Sequence, residues 1–541
     1  MLTRRDFLKT AAVIGAGSSV KPVNALSIFG KNSAGRFDVH PFVEEHPEAV
    51  FVMKTNARNT TDARSKKSAG ELFSHSVMVP VEKGGIPLTH MIPIKPNLTA
   101  SMWDNQSFPL EFGHGIVTDP FFVEGVIEGM KDLGLAGNQF MMREVNGPEC
   151  FGPRGYTAMA ERTGADIRDL GTDVREMPSE NIQWTRVPDP MFHKKLPYLW
   201  PINAKDTFFL NIAKFKTHFI GLTLTCKNHQ GSVGSKYQRF CHGELGFKYN
   251  YEHLVRNAQE KMRKLYQEHV DMGYPLWEQG HTIGQFENRT EIWANRTLDN
   301  VSATKMGLCI VEGIFGREGA FHTGPNPPEH NDKGIHEAKD YMANIIIFGK
   351  DPILVDNVGH WLGGHEPGNF GFFHLAKERG MTSVIDPRKI PVYTWDRGDA
   401  VRTPLDKFTR TPLRTDYFAK GQAGNSPDDY VMLDQPFDYS KIDEDVPSGK
   451  FEPGVRILDN ARPSPANPYI SFEYTVSKPG YTRLDILSES GETLGIIVNG
   501  YQQTGPGCAA WDITGRSSGS YLYNFRSGDF EESGKIDLRI A

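Results

Sequence analysis

The stretch Thr207-Phe208-Phe209-Leu210-Asn211-Ile212-Ala213 running into Lys214-Phe215-Lys216-Thr217-His218 decides the reading of this chain. A continuous apolar run of strand length that meets a cluster of cations predicts a buried strand with a polar carboxyl end. Three other runs repeat the form: Met91-Ile92-Pro93-Ile94 before Lys95-Pro96-Asn97, Leu308-Cys309-Ile310-Val311 before Glu312-Gly313, and Asn344-Ile345-Ile346-Ile347-Phe348 before Gly349-Lys350-Asp351-Pro352. Amphipathic segments separate them. The spacing predicts βαβ units and a mostly parallel α/β sheet, with ligand chemistry at the carboxyl edge of the strands.

Helix signals agree with that rhythm. Asp119-Pro120 and Asp351-Pro352 each place a capping side chain before a proline at the first helical position. After them Phe122, Val126 and Met130, then Leu354, Val358, Trp361 and Leu362, recur on one helical face, and Gly134 and Gly363-Gly364 end the two helices. A third helix is predicted over about 251–270, with Leu254, Ala258, Met262 and Leu265 as its core stripe.

Outside this core, residues 26–73 read as a polar, irregular lead-in, and residues 397–452 as a Pro/Gly-rich linker, possible packing on the core aside. Residues 453–541 carry short alternating runs at Ile470–Tyr474, Thr482–Leu487, Leu494–Val498, Ala509–Ile513, Tyr521–Phe525 and Lys535–Ile540, which predict an antiparallel Ig-like β-sandwich with Trp511 as its main buried aromatic. The α/β core spans 74–396. At 541 residues the chain is long enough for about three or four folding units.

Composition excludes several classes of function. Lys and Arg number 60 against 66 Asp and Glu, a formal charge of −6, so the basic excess that a nucleic-acid partner demands is missing. Five widely spaced cysteines form no Cys-x-x-Cys pair, so no zinc ribbon or ordinary iron–sulfur motif is present in the sequence. The start Thr3-Arg4-Arg5-Asp6-Phe7-Leu8-Lys9, a mild apolar stretch over 11–20 and Val23-Asn24-Ala25 read as an export signal covering 1–25. Its apolar part is far short of the ~20 residues a spanning helix needs, so the mature chain is expected to lack a transmembrane anchor. The expected location is the periplasm, the cell surface or the medium.

The densest chemistry lies at Asn211, Lys214, Lys216 and His218, followed by Thr225-Cys226-Lys227-Asn228-His229-Gln230-Gly231 and Gly234. Ammonium groups, amide donors and glycines that bare the backbone N–H suit a small anionic ligand or a phosphate-bearing cofactor. Lys95, Asn97, Asn211, Lys214, Lys216, Lys227, Asn228 and Gly231 are the candidate ligand-binding residues, meeting in one pocket, and His218 the candidate proton-transfer group. A solvated lysine rim is the plainer alternative. His218, Cys226, His229, His322, His360, His365, Glu144, Glu312 and Asp356 could ligate a metal, although no compact ligand spacing fixes one. The residues specify neither a cofactor nor a reaction. No nucleophile elbow of the form Gly-x-Ser-x-Gly occurs.

The motifs Ile94-Lys95-Pro96-Asn97-Leu98, Val117-Thr118-Asp119-Pro120, Asn211 through His218, Lys227-Asn228 with Gly231, Val311-Glu312-Gly313, and Gly349-Lys350-Asp351-Pro352 through Val355-Asp356 occur in one order over about 79–364. In this the span resembles the family catalogued as domain of unknown function 362. Some members of that family carry ferredoxin-type cysteine runs, which this chain lacks. The lysine–glycine loop is also faintly similar to lactate racemases, which anchor a nickel-pincer cofactor on lysine. The paired arginines resemble a twin-arginine signal, which implies export of an already folded protein by that machinery. The tail, with Pro463-x-Pro465-x-Asn467-Pro468, Gly491, Trp511-Asp512 and Ser518 through Tyr523, resembles the FlgD-type Ig-like sorting domains of type IX secretion substrates. The resemblance implies attachment or sorting at the cell surface, and the core is expected to be either an enzyme, with redox or isomerase-type chemistry, or a non-catalytic surface binding protein.

Overall fold

The computed structural model describes residues 35–98, 115–145, 151–168, 170, 176–218, 221–234, 253–275, 289–318, 339–414, 435–442, 453–458, 469–477, 480–502 and 505–539. The proposed signal, His322, Cys150 and Cys241 lie outside the described residues.

Fourteen strands build the core: β1 (Arg36–Val39), β2 (Val50–Lys54), β3 (Met78–Pro80), β4 (Ile86–Pro87), β5 (Ile92–Pro96), β6 (Phe140–Met142), β7 (Ile182–Arg186), β8 (Lys195–Leu199), β9 (Leu210–His218), β10 (Gly221–Thr223), β11 (Leu308–Glu318), β12 (Lys339–Gly349), β13 (Val392–Asp396) and β14 (Asp399–Arg402). Nine of them form the main sheet in the order β14-β13-β2-β12-β11-β9-β5-β6, with β10 paired to β9. β11, β9, β5 and β6 run parallel, as do β13 and β2. β12 runs antiparallel to both of its neighbours, β11 and β2.

The sheet is therefore mixed rather than mostly parallel, and this corrects two expectations. Because β12 is reversed, Lys350 and Asp351 at its carboxyl end stand at the opposite edge from Lys95 and Lys214. Within the expected lead-in at 26–73, the described residues from Gly35 on are not irregular. Val50-Phe51-Val52-Met53 is a central strand buried on both faces, and Ala63–Val77 is a helix. A four-residue apolar run has no period to betray it.

Alternation along the strands sends side chains to two cores. Val50, Val52, Ala213, Phe215, Val311 and Ile347 pack on one face with Val355 and Val358 of the 352–362 helix. Phe51, Met53, Ile94, Leu210, Ile212 and Ile310 pack on the other with the 63–77 and 120–131 helices. Those two helices touch backbone to backbone, since a Cβ on Gly70 would lie 2.1 Å from the Phe122 carbonyl oxygen and one on Gly125 2.0 Å from that of Lys67. Both expected caps form: Asp119 accepts from the Phe121 N–H, and Asp351 from those of Ile353 and Leu354.

The third helix is shorter than expected, Ala258–Asp271, and Leu254 lies outside it in a bridge to His193. Met262 and Ala258 are buried, in keeping with a core stripe. His269 of this helix ties it to Glu291 of the 289–302 helix at 2.9 Å and to Glu378 of the 371–378 helix at 2.8 Å. The segment expected to begin a linker at 397 first completes the sheet edge as β14 and then buries Leu405 and Leu413.

The tail holds β15 (Gly454–Leu458), β16 (Tyr469–Val476), β17 (Gly480–Ser488), β18 (Thr493–Gln502), β19 (Gly505–Asp512), β20 (Gly519–Ser527) and β21 (Phe530–Leu538). They form two antiparallel sheets, β15-β16-β19 and β18-β17-β20-β21. Each of the six expected runs overlaps a strand, with Ile513 just past β19 and the last run reaching beyond the end of β21 at Leu538. Trp511 is buried, though Phe472 and Phe525 are more fully enclosed. Among the described residues no helix is long and apolar enough to cross a membrane.

Candidate functional site

The strand expected to end at Ala213 does not stop there. β9 continues to His218, so Lys214 and Lys216 are inside a strand, fully buried, rather than on a loop past its end. Alternation then separates the expected ligands. Lys95 and Asn211 are register partners on one face, whereas Lys214 and Lys216 project to the other.

On the first face Lys95 Nζ donates to Glu144 Oε2 at 2.6 Å, to the Pro96 carbonyl at 2.7 Å and to Asn228 Oδ1 at 3.1 Å. Asn97 Nδ2 also donates to Asn228 Oδ1, at 3.1 Å. The Asn228 amide donates to the Lys95 carbonyl at 3.0 Å and to Asn211 Oδ1 at 2.8 Å, and Asn211 donates to the Thr225 carbonyl at 2.9 Å. Gly231 closes over this pair: a Cβ there would lie 2.5 Å from Lys95 Cε and 2.6 Å from Glu144 Oε1. Burial pulls the Lys95 ammonium down from its usual pKa, and the Glu144 carboxylate opposes that pull.

On the second face Lys214 Nζ meets Glu312 Oε2 at 2.7 Å, with neither side chain exposed. Glu312 also accepts from the backbone N–H of Asp119 at 2.9 Å and of Ile314 at 2.8 Å. Asp119 in turn pairs with buried Lys66 at 2.8 Å. Thr118 Oγ1 donates to the Ile212 carbonyl, joining the loop after β5 to β9. Lys216 Nζ donates to the Ile116 carbonyl. Burial, and then the positive charges of Lys227, Arg317, Lys214 and Arg154, push the Lys216 ammonium well below its usual range.

Most of the expected ligand residues thus brace the sheet edge. Lys95, Asn97, Asn211, Lys214 and Asn228 spend their polar atoms on internal partners, and Gly231 provides close packing. Lys227 differs. It is half-buried, carries no hydrogen bond or ion pair among the described residues, and lies close enough to both Lys95 and Lys216 to depress their ammonium groups. His218 is buried at the end of β9, in register with Gly221.

The metal candidates among the described residues do not converge. His229 Nδ1 lies 3.0 Å from Ser232 Oγ, its ring stacks on Tyr198, and burial lowers its pKa to about 3. His360 Nδ1 lies 2.8 Å from the Asp356 carbonyl, and His365 Nε2 2.7 Å from that of Leu413. Glu144 and Glu312 hold lysines. Burial raises the Cys226 thiol well above its usual range. Among the described residues no group of three or more His, Cys, Asp or Glu could hold a metal ion. Burial pushes the Asp356 carboxyl up to about 6, against the pull of hydrogen bonds from Thr225 and Cys226.

Reading the sequence missed Lys66, Arg154 and Arg317, all buried at this edge. Arg317 sits nine residues into β11, beyond the glycines that ended the expected strand, and pairs with Asp340 of β12 at 2.6 Å. The structure also holds a cavity of 1260 Å³ at the opposite edge, lined by Phe208, Met306, Gly307 and Lys350 among others. None of the expected ligand residues reaches it.

The architecture is that of a mixed α/β domain followed by an antiparallel β tail, with a buried cationic centre at the carboxyl edge of β9. Residues 92–360 match the family described as Domain of unknown function (DUF362), so the core of this chain carries a DUF362 region. No curated protein matches the chain.

Proposed function

We propose that the core binds a small anionic ligand or a phosphate-bearing cofactor at the carboxyl edge of β9, with Lys227 as the cation that meets it and His218 as the proton-transfer group. The observation that carries this reading is the contrast among the lysines. Lys95, Lys214 and Lys66 each face a carboxylate within 2.8 Å, whereas Lys227 faces none among the described residues and adds to the positive field of Lys216, Arg154 and Arg317. A half-buried ammonium group in such a field is stabilised by an anion that supplies the missing charge. Titratable His218 at the same strand end favours an enzyme, of redox or isomerase type, over a purely binding surface protein. Native mass spectrometry of protein taken from its own cells tests the proposal. A bound anionic species that Lys227→Ala releases supports it; a ligand-free chain, or one equally loaded in the variant, refutes it.

The chain is proposed to leave the cytoplasm through its twin-arginine start, and its tail to serve sorting or attachment as an Ig-like domain. Changing both Arg4 and Arg5 to Lys should leave precursor in the cytoplasm, read by blotting of cell fractions. Normal export of that variant removes the assignment.

A further inference from the structure

Asp356 sits in the 352–362 helix, one turn beyond its Asp351 cap, yet its carboxylate serves a different segment. Oδ1 accepts from the Thr225 N–H at 2.7 Å and from the Thr225 hydroxyl at 2.6 Å, and Oδ2 accepts from the Cys226 N–H at 2.9 Å. These are the first donors of the short helical turn Thr225–Asn228, which supplies no side-chain cap of its own and contains Lys227. The carboxylate of one helix therefore caps the start of a neighbouring turn.

The close approach is built into the sequence. A Cβ on Gly359 would lie 2.8 Å from Leu224 Cδ1, and one on Gly363 2.7 Å from Leu222 Cδ1. Asp356, Gly359 and Gly363 fall at helical spacing on one stripe, so the glycines seat the helix against β10 where the carboxylate can reach the turn. Beyond Lys227 the turn is fixed again, because Asn228 donates to the Lys95 carbonyl and to Asn211. Lys227 is thus held between two anchors while its own ammonium has no hydrogen-bond or ion-pair partner among the described residues.

We infer that Asp356 is the positioning residue of the anion site: by capping Thr225 and Cys226 across the helix boundary, it fixes the turn that presents Lys227 to the ligand. The inference rests on the reading of Lys227 given above. Positioning and plain electrostatics predict opposite signs. A bystander carboxylate repels an anion, so neutralising it would tighten binding; a cap that holds the turn strengthens binding, so neutralising it would weaken it.

The test is titration of the full chain with inorganic phosphate at low ionic strength, comparing wild type with Lys227→Ala, Asp356→Asn, Thr225→Val and Thr225→Ser. Asp356→Asn is expected to weaken binding about tenfold, on the scale of one lost charge-assisted hydrogen bond, with faster amide exchange over 222–228. Thr225→Val should weaken it less, and Thr225→Ser, which keeps the hydroxyl, should restore it. If Lys227→Ala weakens binding while Asp356→Asn leaves it unchanged or tightens it, the positioning role is wrong and the site stands. If wild type takes up no phosphate, or Lys227→Ala binds as well as wild type, the site reading fails and takes this inference with it. Should Asp356→Asn not fold, the Val and Ser pair decides: equal affinity in those two variants overturns the role.

Discussion

The core and the tail handle charge in opposite ways. Along β21 of the tail, exposed and less exposed residues alternate, and the ion pair between Lys535 and Asp537 stands more than half exposed on both sides. Along β9 and β11 every position is buried, and Lys214 meets Glu312 with no exposure at all. A charge in an antiparallel strand with one wet face marks the surface. In a strand covered on both faces it marks an internal partner, and the cost of losing that partner rises accordingly.

That contrast predicts its largest difference in stability. Lys214→Ala leaves Glu312 charged and buried without its partner, and should lower unfolding free energy in urea by about 3–5 kcal/mol, whereas Lys535→Ala should change it by under ~1 kcal/mol. Replacing Lys214 and Glu312 together by Met and Leu should recover only part of the loss, because the desolvation cost disappears with both charges while the Asp119 and Ile314 N–H groups lose their acceptor. A mild Lys214→Ala phenotype would return that lysine to the list of ligand residues.

A smaller effect should appear with pH. His269 is opposed by burial, but Glu291 and Glu378 outweigh it and raise its pKa to about 9; Tyr274 stacks on the ring, and His374 lies near it. A group raised in the folded state contributes fully below its unfolded pKa of about 6.5 and loses that contribution as pH rises through about 9. The thermal midpoint should therefore fall between pH 6.5 and 9, and His269→Gln should flatten that part of the profile. An unchanged slope in the variant would show that the three helices are held together by other contacts.

The same contrast explains what the sequence could and could not reveal. The tail was legible because its strands alternate at period two and turn residues separate them, so each of the six expected runs overlaps a strand. The first, Gly454–Leu458, was missed beside a Pro/Gly-rich segment. In the core the proline-led helix starts were legible, because Asp119 and Asp351 act through local hydrogen bonds. Strand direction was not, since nothing local distinguishes reversed β12 from its parallel neighbours, and Val50–Met53 is too short to show a period. The chemistry was legible as a cluster but not as an arrangement. Lys95, Asn211, Lys214 and Asn228 do gather at one edge, yet the carboxylates that occupy Lys95 and Lys214 come from elsewhere, Glu144 from just past β6 and Glu312 from inside β11. Alternation of β9 then divides the lysines between two faces.

The smallest expected change in stability accompanies the most informative change in binding. Lys227→Ala removes a half-buried side chain with no described partner, so the thermal midpoint should hardly move. Calorimetric titration of wild type and this variant with inorganic phosphate at low ionic strength tests the central claim most directly. Wild type is expected to bind phosphate and the variant to bind it about tenfold more weakly at equal stability, the scale of one charge-assisted hydrogen bond. Equal affinity in the two chains would contradict it.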